Sequence, residues 1–148
     1  MNYKEMKAKH QKEYNEFPLG AAFSNKQFDE MMEKWGLNSN SKTDINKIIS
    51  IGFGCYIKKE DKDGFHEMNR RHKQEVEDAI LADTSGEGFI MEMFYSELVN
   101  HEYGYVYDQA IEDTLEALGY TTDEINADER LLTGLNLAKR KVMEDCSL

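Results

Sequence analysis

The chain of 148 residues has only two cysteines, one proline and no apolar run of membrane-spanning length. Cys55 and Cys146 form no CxxC pair and no disulfide framework, which favours a reducing cytoplasm. No segment approaches the ~20 consecutive apolar residues that a membrane helix needs, and the charged N-terminus is unlike a signal peptide. Because 40% of the residues are apolar, the sequence predicts a single folded, helix-rich domain over residues 1–148.

Basic residues are missing from a long part of the chain. Between Gln74 and Glu129 there are 16 Asp or Glu residues and not one Lys or Arg. Residues 1–58 carry a net charge of +2 and residues 59–148 a net charge of −13, which gives the formal total of −11. A dense block of negative charge repels nucleic acid, so direct binding of DNA or RNA is not expected. A basic protein surface is the kind of partner that this charge favours.

Apolar residues recur at helical spacing in five to six segments. Capping-box patterns precede three of them, at Ser24–Gln27, Thr84–Glu87 and Thr121–Glu124. Asp108 is placed to cap another helix, and the polar stretch Leu37–Asp44 indicates a loop. The predicted fold is therefore α+β, mostly helical with five to six helices, and includes a small antiparallel sheet of two or three strands.

The segment Ile49–Lys58 alternates between apolar and other residues at period two, which predicts a half-buried strand. Gly52 and Gly54 lie inside it. The segment lacks the third glycine of a dinucleotide-binding loop and the Gly-Lys-Ser/Thr of a phosphate loop. The glycines are interpreted as strand positions where another element packs closely. Tyr103–Tyr107 alternates in the same way and predicts a partner strand, and Leu19–Phe23 offers a short third one.

Catalytic and metal-binding motifs are sparse. Glu97 and His101 lie four residues apart on a predicted helix and are the candidates for a metal-dependent enzyme, but di-iron proteins use a Glu-x-x-His motif twice. His72 occupies an apolar-stripe position and is interpreted as a packed or hydrogen-bonded core residue. There is no Gly-x-Ser-x-Gly motif, and Cys55 is expected on the inner side of a strand. No cofactor and no enzymatic activity is therefore predicted.

The acidic block supplies the candidate partner-binding surface. Tyrosines beside carboxylates are suited to protein interfaces, because they add contact area and hydrogen bonds. The predicted partner-binding residues are Glu75, Glu77, Asp78, Glu87, Glu92, Glu97, Tyr103, Tyr105, Glu112, Asp113 and Glu116. Such a surface can replace a phosphate backbone in a basic groove, provided that its carboxylates form one continuous face. The plainer interpretation is that these are solvated helix faces.

Four segments carry a resemblance: FPLGAAFSNKQFDEMMEKWGL (Phe17–Leu37), SIGFGCYIKKEDKDGFHEM (Ser50–Met68), MFYSELVNHEY (Met93–Tyr103) and TLEALGYTTDEINAD (Thr114–Asp128). Through them the chain resembles small, acidic, uncharacterised proteins encoded by bacteriophages and prophages. The resemblance transfers no catalytic residues. It implies a cytoplasmic accessory protein of an infected bacterium, and small acidic phage proteins often block host defence proteins.

The leading hypothesis rests on this resemblance and on the acidic block between Gln74 and Glu129. It is an anti-defence inhibitor, of the anti-CRISPR kind, that binds a host protein with a basic nucleic-acid-binding surface, for example an RNA-guided nuclease. Two alternatives stay open. One is a metal-dependent enzyme that uses Glu97 and His101. The other is a structural or accessory protein that self-associates through the edge of its sheet; the oligomeric state is not predicted.

Overall fold

A computed structural model describes residues 1–146 of the chain. Within that range it contains eight α-helices, three short strands and a single 3-10 turn at Lys59–Asp61. The elements are α1 (Tyr3–Glu16), β1 (Gly20–Ala21), α2 (Asn25–Lys34), α3 (Lys42–Ile45), β2 (Ile48–Gly52), β3 (Cys55–Lys58), α4 (Lys62–Ala82), α5 (Phe89–Asn100), α6 (Tyr107–Leu118), α7 (Thr122–Ala127) and α8 (Glu129–Cys146). The α+β class is confirmed, whereas the predicted count of five to six helices is too low.

Two short helices account for the difference. α3 lies at the end of the stretch predicted as a loop, and the Ser41 side chain caps it by accepting a hydrogen bond from the Asp44 N–H at 3.3 Å. The last predicted helix is divided at Asp128, where the backbone is extended (φ −120°, ψ 108°). The Asp128 carboxylate accepts a hydrogen bond from the Arg130 N–H at 3.0 Å. Both features depend on local polar caps, which apolar periodicity does not detect.

The chain divides into two compact units. The helical unit comprises Met1–Lys9 and the chain from Gln74 onwards, and the sheet unit comprises His10–Lys73. None of the helices in the described part of the chain is long and apolar enough to cross a membrane.

The sheet unit is built on three antiparallel strands in the order β1-β3-β2. The central strand β3 pairs with β1 through Gly20 and Tyr56, and with β2 through Ile49 and Ile57. Its core combines the buried methionines of α2 with apolar side chains of the sheet, because the amphipathic face of α2 lies against it. Ile57 is 1% exposed, so the middle of the sheet is closed to solvent.

The predicted single strand Ile49–Lys58 is wrong, because the segment is a hairpin. Gly52, Phe53 and Gly54 all have positive φ, at 94°, 53° and 73°. Phe53 and Gly54 form a two-residue turn of the type that requires left-handed backbone at both positions. The alternation at period two continues through both arms, so periodicity alone does not reveal the reversal. The close packing predicted at the glycines is confirmed at Gly54, where a Cβ would lie 2.4 Å from the Phe23 ring, and is wrong at Gly52, where a Cβ would meet no atom within 4 Å.

The helical unit is organised around α5. Ile90, Met93, Phe94 and Leu98 recur at helical spacing on this helix and are each at most 1% exposed. α8 packs against α5 at Gly134, where a Cβ would lie 2.5 Å from the Ile90 Cγ2 atom. The absence of a side chain at this position lets the two helix backbones approach closely.

The predicted strand Tyr103–Tyr107 is also wrong. Glu102 ends α5 in a left-handed conformation (φ 62°), and the Tyr103 N–H donates to the Leu98 carbonyl at 2.9 Å. This is the usual hydrogen-bonding pattern of a helix C-terminus. The N–H groups of Tyr105 and Val106 then bond back to the Glu102 carbonyl, so the segment makes tight turns.

The predicted caps have mixed outcomes. Thr121 and Glu124 form the expected capping box, with both reciprocal hydrogen bonds present. The predicted box at Thr84–Glu87 is wrong, because the Asp83 carboxylate accepts from the N–H groups of Gly86 and Ile90 at 3.0 and 2.9 Å and caps α5 instead. Asp108 does not cap α6, since it already lies within the first turn of that helix.

Candidate functional site

The negative charge belongs almost entirely to the helical unit. This unit has seven Lys or Arg and 19 Asp or Glu residues, a net charge of −12, whereas the sheet unit has 11 and 10 and a net charge of +1. A partner that recognises the charge of this protein is therefore expected to contact the helical unit.

Four of the predicted residues surround two neighbouring grooves of the helical unit. Glu75 and Asp78, on one side of α4, line an open groove of about 700 Å³ together with Lys9. Glu87 and Glu92 line a second groove of about 780 Å³, and Gly88 is common to both grooves. Lys9 forms an ion pair with Glu75 at 3.1 Å. This group is therefore partly neutralised.

Glu77 is on a different side of α4. It lines a separate groove of about 520 Å³, together with Glu124, Asp128 and Arg130. Arg130 is held by the Asp128 carboxylate at 3.0 Å and donates to the Ile80 carbonyl at 2.9 Å. The Arg130 guanidinium thus makes structural contacts within the protein.

The third group lies on α6. Glu112 and Glu116 are exposed and Asp113 is half-buried. Asp108, four residues before Glu112, is exposed as well. Side chains four residues apart share one side of a helix and are spaced by about 6 Å along its axis. Asp108, Glu112 and Glu116 therefore form a row of carboxylates, which we call the α6 stripe.

Two of the predicted partner-binding residues are buried. Glu97 is 8% exposed and Tyr103 is 9% exposed, so neither is placed to contact a partner directly. Tyr103 lies in the core with its ring edge-on to that of Tyr107, at 5.6 Å between centroids. Tyr105 points outwards and is 83% exposed. The predicted surface thus loses Glu97 and Tyr103, and its exposed carboxylates lie beside separate grooves and along α6.

Glu97 is held by residues from the first helix. Its Oε1 atom accepts hydrogen bonds from the Tyr3 hydroxyl at 2.9 Å and the Lys7 ammonium at 2.8 Å. Its Oε2 atom lies 3.7 Å from the His101 Nε2 atom. Burial acts to raise the pKa of Glu97, but Lys7 and Tyr3 together bring that pKa below its ordinary value. Glu97 is thus a buried, ionised carboxylate whose charge is balanced by Lys7.

This arrangement bears on the metal-binding alternative. Lys7 and His101 approach different oxygens of the Glu97 carboxylate, since the Lys7 ammonium binds Oε1 and His101 lies beside Oε2. Within residues 1–146, no group of three or more His, Cys, Asp or Glu side chains is arranged to hold a metal ion. Glu97 and His101 therefore form an isolated pair.

The sheet unit contains a buried polar cluster that sequence reasoning detected only in part. His72 is 7% exposed, stacks on His10 with ring centroids 3.9 Å apart and hydrogen-bonds through Nε2 to the Glu13 carboxylate. The interpretation of His72 as a hydrogen-bonded core residue is confirmed. Arg71 also binds Glu13, with contacts at 3.2 and 2.9 Å. Hydrogen bonds from Arg71 and His72 lower the pKa of Glu13 to about 2.

The model of a family of unknown function, DUF7659, matches residues 2–141. The chain belongs to family DUF7659. No curated protein and no solved structure shows significant similarity to it. The expected membership of a family without assigned chemistry is confirmed, and the phage origin stays a prediction.

The DUF7659 match extends over parts of both units. It includes the α6 stripe, the Glu97 contacts and the His72 cluster. Sequence reasoning missed Asp108 as a member of the stripe and Glu13 as the centre of the cluster. The four-residue spacing from Asp108 to Glu112 was available as a signal. The contact of Glu13 with His72 had no such signal in the sequence, because the two residues lie on different helices and are 59 positions apart in the chain.

The Glu13 contacts predict a pH-dependent contribution to stability. Replacing Glu13 with Gln is expected to lower the free energy of unfolding at pH 7 by about 1 kcal/mol, since charge-assisted hydrogen bonds in partly exposed pairs are of this size. Because folding lowers the Glu13 pKa, this contribution is complete above about pH 4.3, the usual value for Glu, and is lost as the pH falls towards 2.

Chemical denaturation of both proteins between pH 3 and pH 7 measures this difference. Glu16→Gln is the matched control, because Glu16 is exposed and lies 3.8 Å from the Lys12 ammonium in a solvated pair. A Glu13→Gln effect that stays constant down to pH 3 would contradict the assignment.

Proposed function

We propose that this protein binds the basic, nucleic-acid-binding surface of another protein and blocks it, with the α6 stripe as the main contact. The observation that carries the proposal is that Asp108, Glu112 and Glu116 are exposed on one side of α6. No Lys or Arg among residues 1–146 forms an ion pair with any of the three. Tyr105, exposed two residues before α6, adds aromatic contact area beside the stripe.

The stripe opposes the stability of its own helix, which supports a role in binding. Like charges four residues apart each cost about 0.2–0.5 kcal/mol in a helix. Glu116 also lies near the C-terminal end of α6, where the helix dipole is negative and a basic residue is favoured. The last turn of α6 has no basic residue. Selection for stability alone would mix the signs of charge along this surface.

The chemistry of the stripe indicates the class of partner. A row of carboxylates at about 6 Å intervals presents repeated negative charge to a groove that holds phosphates. Together with the resemblance to phage-encoded proteins, this favours a nucleic-acid-binding defence protein of a bacterial host, such as an RNA-guided nuclease. Binding of this kind excludes the nucleic acid from the same groove.

Neutralising the stripe tests the proposal. The variant Asp108→Asn/Glu112→Gln/Glu116→Gln is expected to bind a purified RNA-guided nuclease at least about tenfold more weakly at 50 mM salt, because charge complementarity sets much of the encounter rate. Raising the salt to 500 mM should weaken the wild-type protein by a similar factor. The free variant should unfold at nearly the same temperature as the wild type, because removing the like-charge pairs is offset by losing the favourable Asp108 charge in the first turn of α6.

The matched control changes the same charge elsewhere. Asp29→Asn/Glu30→Gln/Glu33→Gln removes three exposed carboxylates from α2 in the sheet unit. If both triple variants weaken binding equally, net charge rather than the α6 stripe is responsible. If wild-type binding is independent of salt, the electrostatic mechanism is wrong.

The metal-dependent enzyme receives no comparable support from the geometry. A metal ion between Glu97 and His101 would find no third His, Cys, Asp or Glu ligand among residues 1–146. We therefore place no reaction at this pair.

A further inference from the structure

The outer edge of β2 is an open hydrogen-bonding surface of the sheet unit. The Lys59 N–H donates to the Lys47 carbonyl at 2.8 Å, and the register pairs Ile49 with Ile57. Because hydrogen-bonded pairs alternate along antiparallel strands, the N–H and C=O groups of Ile48 and Ser50 point away from β3. Within residues 1–146, no group forms a hydrogen bond with the backbone of Ile48 or Ser50 on that side.

This edge carries neither a charged side chain nor a proline against pairing, although it is short. Exposed edge strands are normally blunted by charged side chains or proline. β2 has the sequence Ile-Ile-Ser-Ile-Gly and contains neither. The irregularity between Ser50 and Gly52 limits regular pairing to the first three residues. Lys47, just before the strand, is neutralised by Asp44 at 3.1 Å.

Exposed apolar side chains lie at both ends of the same strand. Phe53, at the hairpin turn, is 97% exposed, and Ile45, before the strand, is 40% exposed. Phe53 has a left-handed backbone (φ 53°), which is unfavourable for a bulky residue. Asn is the preferred residue at this turn position. The hairpin therefore keeps an aromatic residue where both backbone geometry and solvent disfavour it.

We propose that a second copy of this chain pairs antiparallel with β2 and forms a continuous six-stranded sheet. Pairing Ile48 of each copy with Ser50 of the other satisfies the open backbone groups on both sides. The two Ile49 side chains then face each other at the two-fold axis. They meet beside a groove of about 300 Å³ whose lining includes Ile51 and Phe65.

The same pairing also covers the exposed apolar residues. Because the strands run in opposite directions, Phe53 of each copy reaches the start of β2 in the other copy, where Ile45 is exposed. A two-fold contact is self-complementary, so one surface serves both subunits. This is why a second copy, rather than an unrelated peptide, fits the edge.

The contact is small. Each Phe contributes about 150–250 Å², and the regular strand pairing is three residues long. A contact of this extent lies below the range of about 1,200–2,000 Å² that specific, stable interfaces bury. The dimer should therefore be weak and depend on concentration, with a Kd of about 10–1,000 μM. The inference is independent of the α6 stripe, which is in the helical unit.

Sedimentation of the full chain between about 1 μM and 1 mM tests the proposal over the expected range. The mean mass is expected to rise towards that of two chains as the concentration increases. Ser50→Pro should weaken self-association at least about tenfold, because it removes an outward-facing N–H and proline is tolerated at such edge positions.

Phe53→Asn is the second variant and is expected to fold at least as well as the wild type, because Asn-Gly suits this turn. It should also weaken self-association by about tenfold. Leu81→Gln is the matched control, since Leu81 is 69% exposed but lies in the helical unit. A mass of one chain at every concentration overturns the proposal. Self-association that neither Ser50→Pro nor Phe53→Asn weakens overturns it as well.

Discussion

Replacing Gly86 with alanine is expected to lower the free energy of unfolding by about 3 kcal/mol. Gly86 has a φ of +83°, and a Cβ at this position would lie 2.1 Å from the Arg130 carbonyl oxygen. The left-handed backbone alone costs a non-glycine residue about 1 kcal/mol. The remainder comes from displacing the backbone of α8, because overpacking a close contact costs about 1–3 kcal/mol.

The displacement matters because several contacts meet at this point. The Arg130 guanidinium donates to the carbonyls of Ile80 and Asp83, each at 2.9 Å, and the Gly86 carbonyl faces Gly134 of α8. Moving Arg130 therefore disturbs the junction between α4, α5 and α8. Gly86→Ala should change the structure little outside this junction.

Gly119→Ala is the matched control for Gly86→Ala. Gly119 also has a left-handed backbone (φ +77°), but a Cβ there would meet no atom within 4 Å. Gly119→Ala should cost only about 1 kcal/mol, the cost of placing a non-glycine residue in left-handed backbone. Chemical denaturation of the full chain measures both values. Equal losses for the two variants would contradict the close approach of Gly86 and Arg130.

Removing Lys7 is expected to have the second largest effect. Lys7→Met leaves the buried Glu97 carboxylate with the Tyr3 hydroxyl and the more distant His101, and should destabilise the protein by about 2 kcal/mol. Breaking a fully buried ion pair costs about 3–5 kcal/mol. The value is lower here because the Lys7 side chain is 52% exposed, so water can approach the carboxylate.

The effect of Lys7→Met should depend on pH in a defined direction. Folding lowers the Glu97 pKa, so the favourable contribution of the ionised carboxylate is present above about pH 4.3 and decreases as the pH falls below that value. The difference between wild type and Lys7→Met should therefore be largest near neutral pH and narrow in acid.

Two further variants isolate the contribution of Glu97. Lys9→Met removes an exposed ion pair with Glu75 and should cost less than about 1 kcal/mol. In the double variant Lys7→Met/Glu97→Gln no buried charge is left, so its loss of stability should be smaller than the sum of the two single losses. A Lys7→Met loss as small as that of Lys9→Met would show that Glu97 is not desolvated.

Features of the fold were predictable from the sequence when the interacting residues are close together in the chain. The Thr121–Glu124 capping box was predicted correctly, because both hydrogen bonds join residues three apart. The hairpin at Phe53 was missed, because the alternation of apolar residues at period two continues without interruption from one arm into the other. The tyrosines at 103–107 alternate like a strand, but the left-handed Glu102 directs the chain into turns.

The candidate site shows the same division. The α6 stripe follows from spacing along a single helix, and its charge can be read directly from the sequence. Glu97 was expected among the exposed helix positions of the acidic block. Its burial depends on Tyr3 and Lys7, which are 94 and 90 residues away in the chain. No local pattern encodes such a contact.

By itself, the sequence determined the α+β class, most of the helices and the acidic character of residues 74–129, because these depend on composition and short-range spacing. Only the tertiary structure decided which carboxylates remain in solvent, which are neutralised by α1, and which edge of the sheet is open. Exposure and pairing are set by packing between elements that are distant in the chain. The entropic cost of closing a loop grows only slowly with its length, so residues at almost any separation can come into contact.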